Sequence, residues 1–233
     1  MRTRRFLVSE YAVLVALGLA SLLALVFFDI ADNVMEGNTR EADMAVLNLF
    51  RVPGDPSQII GPVWLHEAVR DLTALGSGTV LTIIVTMAAL CLLLLNQRRG
   101  AVLIVVATLS GTLLSNTLKL GYARERPDFE TIYATLTNSF PSGHAMLSAV
   151  TFLTLGALLA RFAGPLRLKI FLFAAAIVLT LAIGASRIFL GVHYPSDVMA
   201  GWALGAAWAL MWSGVAAFLQ RRRMLSGLGK GQD

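Results

Sequence analysis

Six apolar stretches of 16 or more residues, none with an acidic or basic side chain, limit what this chain can fold into. Tyr11–Phe28 runs for 18 residues, Leu72–Gln97 for 26, Gly100–Leu118 for 19 and Val198–Gln220 for 23. Ala145–Ala160 and Ile170–Ser186 run for 16 and 17, and both lengthen once their snorkelling flanks are added. A helix needs about 20 residues to cross a hydrocarbon core. In lipid every backbone amide must be paired within its own segment, so these spans are helices rather than open strands. The expectation is an all-α integral membrane bundle of six transmembrane helices. The composition agrees: 57% of residues are hydrophobic and 14% charged, with a mean hydropathy of +0.72. A soluble domain carries about 25% charge.

The net charge of +5 and pI of 9.9 would suit a nucleic-acid partner, but the placement of the charges argues for a membrane topology instead. With the N-terminus inside, the inner segments are 1–10, 97–100, 161–169 and 221–233. They hold Arg2, Arg4, Arg5, Arg98, Arg99, Arg161, Arg167, Lys169, Arg221, Arg222, Arg223 and Lys230, which is 12 of the 19 basic residues. Of the 14 acidic residues only Glu10 and Asp233 fall inside. This positive-inside bias places both termini in the cytoplasm of a multi-pass protein in the cell (inner) membrane. Basic inner loops also favour anionic membrane lipids, and no nucleic-acid partner is expected. The first span has the basic start of a secretory signal, but its run is too long and no Ala-x-Ala site follows, so it is read as an anchor.

The chain is read as one domain over residues 1–233, with an outer segment at 30–71, polar motifs at 119–197 and a solvated cytoplasmic tail at 221–233. Two amphipathic stretches, Glu41–Arg51 and Trp64–Leu72, are expected as interfacial helices, or as a packed cap, separated by the breakers of RVPGDPSQIIGP. Gly201 and Gly205 have the spacing that lets helices approach closely within a bundle. The single cysteine, Cys91, is read as a small packing residue.

Three outer stretches carry unusual chemistry, and the topology puts all three on one side. The first is Lys119-LGYARE-Arg126-Pro127. Seven residues is about two helical turns, so a continuing helix would place both cations on one face, where they repel unless an anion lies between them. The second is Pro141-Ser142-Gly143-His144, a helix start with Ser142 near the N-cap and free amides to offer an anion. The third is Ser186-Arg187-IFLGV-His193-YPS-Asp197. A helix beginning near Pro195 would bring Asp197 close to His193, fixing its tautomer and freeing one ring nitrogen as a nucleophile. Each cation alone is at home snorkelling at a helix end, and Asp197 alone is at home as a helix cap. Three cations, two histidines and a carboxylate converging on one surface point instead to phosphate chemistry.

Together, and in this order, the three stretches resemble the signature of the type 2 phosphatidic-acid phosphatase family: K-x6-R-P, then P-S-G-H, then S-R-x5-H-x3-D. Every signature position is matched. The family includes bacterial phosphatases of lipid pyrophosphates and is related in its site to vanadate-dependent haloperoxidases. The resemblance implies that His193 attacks phosphorus while Asp197 orients it, and that His144 protonates the leaving oxygen. It implies that Lys119, Arg126, Ser142, Gly143 and Arg187 hold the non-reacting oxygens. It also implies that no metal or other cofactor is needed. Tyr122 and Arg124 fall at variable positions and receive no role. The expected function is hydrolysis of a lipid phosphate or pyrophosphate at the outer leaflet, of the phosphatidate, phosphatidylglycerophosphate or polyprenyl pyrophosphate type. A lipid phosphotransferase using the same phosphohistidine is one alternative. A six-span transporter is another, although the span cores carry none of the ionisable residues that such a protein usually needs.

Overall fold

A computed structural model of the chain describes residues 2–129 and 137–228, with side chains at 11, 13–129 and 137–218. The helices, in chain order, are α1 (Arg2–Met35), α2 (Arg40–Asn48), α3 (Val63–Ala74), α4 (Gly78–Leu94), α5 (Arg98–Tyr122), α6 (Gly143–Phe162), α7 (Leu166–Phe189) and α8 (Pro195–Leu228). Five of them are long and apolar enough to cross a membrane alone. The pair α3 and α4, bent by 50° at the break between them, makes a sixth when the two are taken together as one span. This is a multi-pass membrane bundle of the expected kind.

The break between α3 and α4 corrects the reading of Leu72–Gln97 as one segment. Leu72–Ala74 closes α3, and Ser77 starts a new helix by accepting a bond from Val80 N at 3.3 Å. Gly76 lies in the break because nothing larger fits. A Cβ there would stand 2.4 Å from Ile183 Cγ2 and 3.2 Å from His144 Cδ2.

α6 sits between α7 and α8, α1 covers α8, and α5 and α4 follow outward from α6. Phe27 and Ala31 of α1, Phe140, Met146 of α6 and Ala200 of α8 form one buried cluster at the end of the bundle that carries the polar motifs. Val85, Leu92, Leu103, Ile104 and Leu158 form a second at the opposite end. The outward faces remain apolar, with Leu22, Leu25, Leu109, Leu113, Phe171 and Val178 exposed. A surface of that kind is stable only against lipid. Cys91 is exposed on this surface rather than packed inside, so its expected packing role does not hold.

Gly201 and Gly205 act within the bundle, as their spacing suggested. A Cβ on Gly201 would lie 2.8 Å from Ser142 O, and one on Gly205 would lie 2.5 Å from Met146 O, so the backbones of α6 and α8 touch there. This approach sets the depth at which the start of α6 meets the start of α8.

Three further details differ from expectation. The breakers after α2 form a small hairpin, β1 (Arg51–Val52) paired antiparallel with β2 (Asp55–Ile59), in which Gly54 supplies a left-handed turn at φ +89°. Lys119 and Arg126 do not share a helix face, because α5 ends at Tyr122 and Ala123 turns left-handed at φ 47°. The expected tail from 221 continues as helix to Leu228, and residues 229–233 lie outside those described.

Substituting Gly205→Val should force α6 and α8 apart and destabilise the fold by about 1–3 kcal/mol. Gly18, with nothing within 4 Å of its would-be Cβ, should accept alanine without loss. Thermal unfolding of both variants in detergent checks the contrast.

Candidate active site

The site forms where α5 and α7 end and α6 and α8 begin, so helix termini and short loops supply all of its polar groups. α8 starts at Pro195, whose fixed φ suits a first helical position. Asp197 therefore lies in the first turn, and its fully buried carboxylate faces back over the preceding loop. Its Oδ2 accepts bonds from Tyr194 N at 3.0 Å and Ser139 Oγ at 2.5 Å, and its Oδ1 accepts one from Arg124 Nη1 at 2.6 Å. Its backbone carbonyl accepts from Ser142 N at 3.0 Å, which joins the start of α8 to the start of α6.

His193 is 2% exposed. Its Nδ1 lies 3.4 Å from Asp197 Oδ2 and 3.2 Å from Ser139 Oγ, so the serine bridges ring and carboxylate. Its Nε2 faces Arg126 Nη1 at 3.2 Å. A guanidinium can only donate, so Nε2 is assigned as an acceptor, and the ring proton goes to Nδ1, on the Asp197 side. Burial pulls the His193 pKa down to about 3, helped by the charges of Arg126 and Arg187 and opposed by Asp197. The imidazole is therefore neutral near pH 7, with its Nε2 lone pair available.

Arg126 comes from the loop after α5. It is held by donation to Val192 O at 2.6 Å, Thr137 O at 2.8 Å and Thr137 Oγ1 at 3.1 Å. Burial lowers its pKa, but a guanidinium stays charged. Lys119, in the last turn of α5, donates to Asn138 O at 2.6 Å, while Asn138 Nδ2 returns a bond to Lys119 O at 2.8 Å. Arg187, near the end of α7, donates to Thr73 Oγ1 of α3 at 3.0 Å and is 5% exposed. Lys119, Arg126 and Arg187 lie near enough to feel one another's charge, and both His144 and His193 feel Arg126 and Arg187.

Ser142 is the N-cap of α6, as its place before Gly143 predicted, but its hydroxyl caps nothing. That Oγ is buried and without a protein partner among the described residues, as is Arg187 Nε. Gly143 leaves the cluster open: a Cβ there would lie 3.6 Å from Lys119 Cε. All eight residues singled out by spacing thus belong to one cluster. It sets a neutral imidazole backed by a carboxylate beside three cations and a helix N-terminus, a combination suited to holding an anion. Among the described residues no three His, Cys, Asp or Glu side chains gather in a metal-holding group.

Four supporting residues escaped the sequence reading. Ser139 lies just outside the second motif. Asp43 belongs to the outer segment and lies 81 residues from Arg124 and 153 from Ser196, while Thr73, near the end of α3, lies 114 from Arg187. Arg124 lies inside the first motif, at a position its pattern leaves free. Only Arg124 carried a signal, as a further cation among the motif's own.

A family model described as PAP2 superfamily matches residues 100–221. The phosphatidylglycerophosphatase B of Bacillus subtilis (strain 168) is 28% identical over 150 residues, covering 63% of this chain and 73% of that protein. The lipid A 1-phosphatase of Rhizobium johnstonii is 38% identical over 123 residues, which is 48% of this chain and 46% of that protein. The match thus spans about half the length of that second relative. Among solved structures, a transmembrane PAP2-type phosphatidylglycerolphosphate phosphatase from Bacillus subtilis superposes with a TM-score of 0.77 at 26% identity, covering 84% of this chain and 94% of that one.

Replacing Ser139 with alanine should leave the buried Asp197 carboxylate one donor short. A buried polar group stripped of a partner costs about 1–3 kcal/mol. The expected outcome is a lower melting temperature in detergent; an unchanged one would show that the Ser139 bond contributes nothing.

Proposed function

The chain belongs to the PAP2 superfamily, and from that premise we propose that it is a membrane phosphatase that cleaves a lipid phosphate or lipid pyrophosphate through a phosphohistidine on His193. The observation that carries the reading is the neutral, buried imidazole of His193. Its Nδ1 is turned to Asp197 and its Nε2 to Arg126, beside Lys119 and Arg187.

In the first step Nε2 attacks phosphorus in line. The N–P bond forms as the bond from phosphorus to the leaving oxygen breaks. Arg126 Nη1 now lies against Nε2 and must yield it to the phosphate, so its N–H turns to donate to a phosphate oxygen. Ser142 Oγ, the amides at the start of α6, Lys119 and Arg187 take the other non-reacting oxygens. His144, which takes up a proton as the phosphate anion enters among the cations, gives that proton to the leaving oxygen, which departs as the lipid alcohol or, from a pyrophosphate, as the lipid monophosphate. In the second step water attacks phosphorus and returns a proton to His144. The P–N bond breaks, and inorganic phosphate leaves a neutral His193. Asp197 stabilises the positive ring that exists between the steps. Three cations held in place by their partners supply the charge stabilisation that a metal would otherwise provide.

The substrate reading combines the site with the relatives. The relatives are named for phosphatidylglycerophosphate and lipid A 1-phosphate chemistry, and others for decaprenyl and undecaprenyl compounds. All of these present a phosphate at the headgroup level of a bilayer. The site lies at the end of the bundle remote from the basic turn of Asn96–Arg99 and Arg161. The positive-inside bias keeps that turn in the cytoplasm, so the site faces the outer leaflet.

His193→Ala should abolish phosphate release from phosphatidate, phosphatidylglycerophosphate and polyprenyl pyrophosphate alike; full activity would remove the phosphohistidine from the mechanism. Arg126→Ala and Arg187→Ala should each lower kcat by about 10²–10³-fold, the usual cost of one lost transition-state contact. Wild-type hydrolysis should continue in excess EDTA without an added acceptor and should be inhibited by vanadate. Loss of activity in EDTA that added metal restores would overturn the metal-free mechanism.

A further inference from the structure

The bonds around Arg124 reach beyond any contact with substrate. Its guanidinium divides between two carboxylates. Nη1 donates to Asp197 Oδ1 at 2.6 Å and to Ser196 Oγ at 2.8 Å. Nη2 donates to Asp43 Oδ2 at 2.9 Å and to Thr39 Oγ1 at 3.4 Å. Its plane stacks on the Tyr194 ring at 4.1 Å. Asp43, in α2, also accepts from Ser196 N at 2.9 Å and Ser196 Oγ at 2.6 Å. The side chains of Arg124, Asp43 and Asp197 are 14%, 4% and 0% exposed.

Two buried carboxylates this close would repel unless a cation stood between them, and only a planar fork can serve both at once. The division of labour at Asp197 follows. Oδ1 is tied to Arg124, while Oδ2 is left to Ser139, Tyr194 N and His193. Rotation of the carboxylate about its Cβ–Cγ bond would exchange these partners, and Arg124 blocks it. Arg124 is itself held in place by α2 through Asp43.

We propose that Arg124, anchored by Asp43, is a positioning residue for the reaction: it fixes the Asp197 carboxylate and through it the tautomer and aim of His193, so the outer segment belongs to the support of the active site. This rests on the reading of His193 as nucleophile. For histidines that hold a metal, loss of the outer partner that orients the ring typically costs about 10–100-fold, and a loss of the same order is expected here.

The test uses full-length purified protein and whichever of phosphatidate, phosphatidylglycerophosphate or polyprenyl pyrophosphate the wild type hydrolyses. Arg124→Gln should lower kcat by about 10–100-fold, with little change in KM or in inhibition by inorganic phosphate. Arg124→Lys keeps the charge but cannot bridge both carboxylates, so it should fall nearly as far. Asp43→Asn should lower kcat less, and should add little to the loss already present in Arg124→Gln, as expected for groups acting in series. If Arg124→Gln does not fold, Arg124→Lys and Asp43→Asn carry the same test.

An unchanged kcat overturns the proposal. So does a raised KM with weakened phosphate inhibition at constant kcat, which would make Arg124 a substrate contact. Additive losses would break the link to Asp43. His193→Ala is measured alongside: if it is active, the nucleophile reading fails, whereas if it is dead while the Arg124 variants are normal, only the positioning role fails.

Discussion

A carboxylate that no solvent reaches must be neutralised by its neighbours, and Asp197 is that carboxylate in this protein. Its acceptors draw in Tyr194 N from the loop before α8, Ser139 from the segment before α6, and Arg124 from the loop after α5. Its own carbonyl takes Ser142 N. Three pieces of chain, after α5, before α6 and before α8, thus converge on one residue, and the side chains proposed to hold phosphate, Arg187 of α7 excepted, ride on those same pieces. The polar surface of the bundle is organised outward from this point.

The apolar part of the molecule makes that convergence possible. α6 and α8 approach until backbone meets backbone at Gly201 and Gly205. The N-terminus of α6 and the first turn of α8 therefore lie close enough for the Ser142–Asp197 bond. Small residues achieve this in lipid, where burial of apolar surface offers little net drive and close contact must supply the attraction. The break between α3 and α4 serves the other side of the site. It brings Thr73 to Arg187 and sets Gly76 against His144, which a straight helix with a side chain at that point could not do.

The spans were legible because hydrocarbon demands long uncharged runs, and the cations and histidines were legible because membrane proteins keep such groups out of lipid unless they are used. Less legible were the features that depend on local geometry. The helical spacing of Lys119 and Arg126 suggested a shared face, but the chain leaves the helix at Ala123 and Arg126 arrives from a loop. Leu72–Gln97 contained no charge to mark the bend, because a glycine and a serine sufficed to make it. Ser139 and Asp43 carried no signal at all. Each is a common residue made significant only by what lies opposite.

The residues alone were enough to give the class of the molecule: a membrane bundle with many of its basic residues gathered at one end and the motif residues Lys119, Arg126, His144, Arg187, His193 and Asp197 at the other. They sufficed because solvent preference and reactive residue type are properties of the residues themselves. Which groups hold those residues in place follows from the packing of the helices alone. The pairing of Arg124 with Asp43 and Asp197 joins residues 81 and 73 positions apart, and that of Arg187 with Thr73 joins residues 114 apart. Such contacts follow from how the helices pack, and no spacing along the chain encodes them.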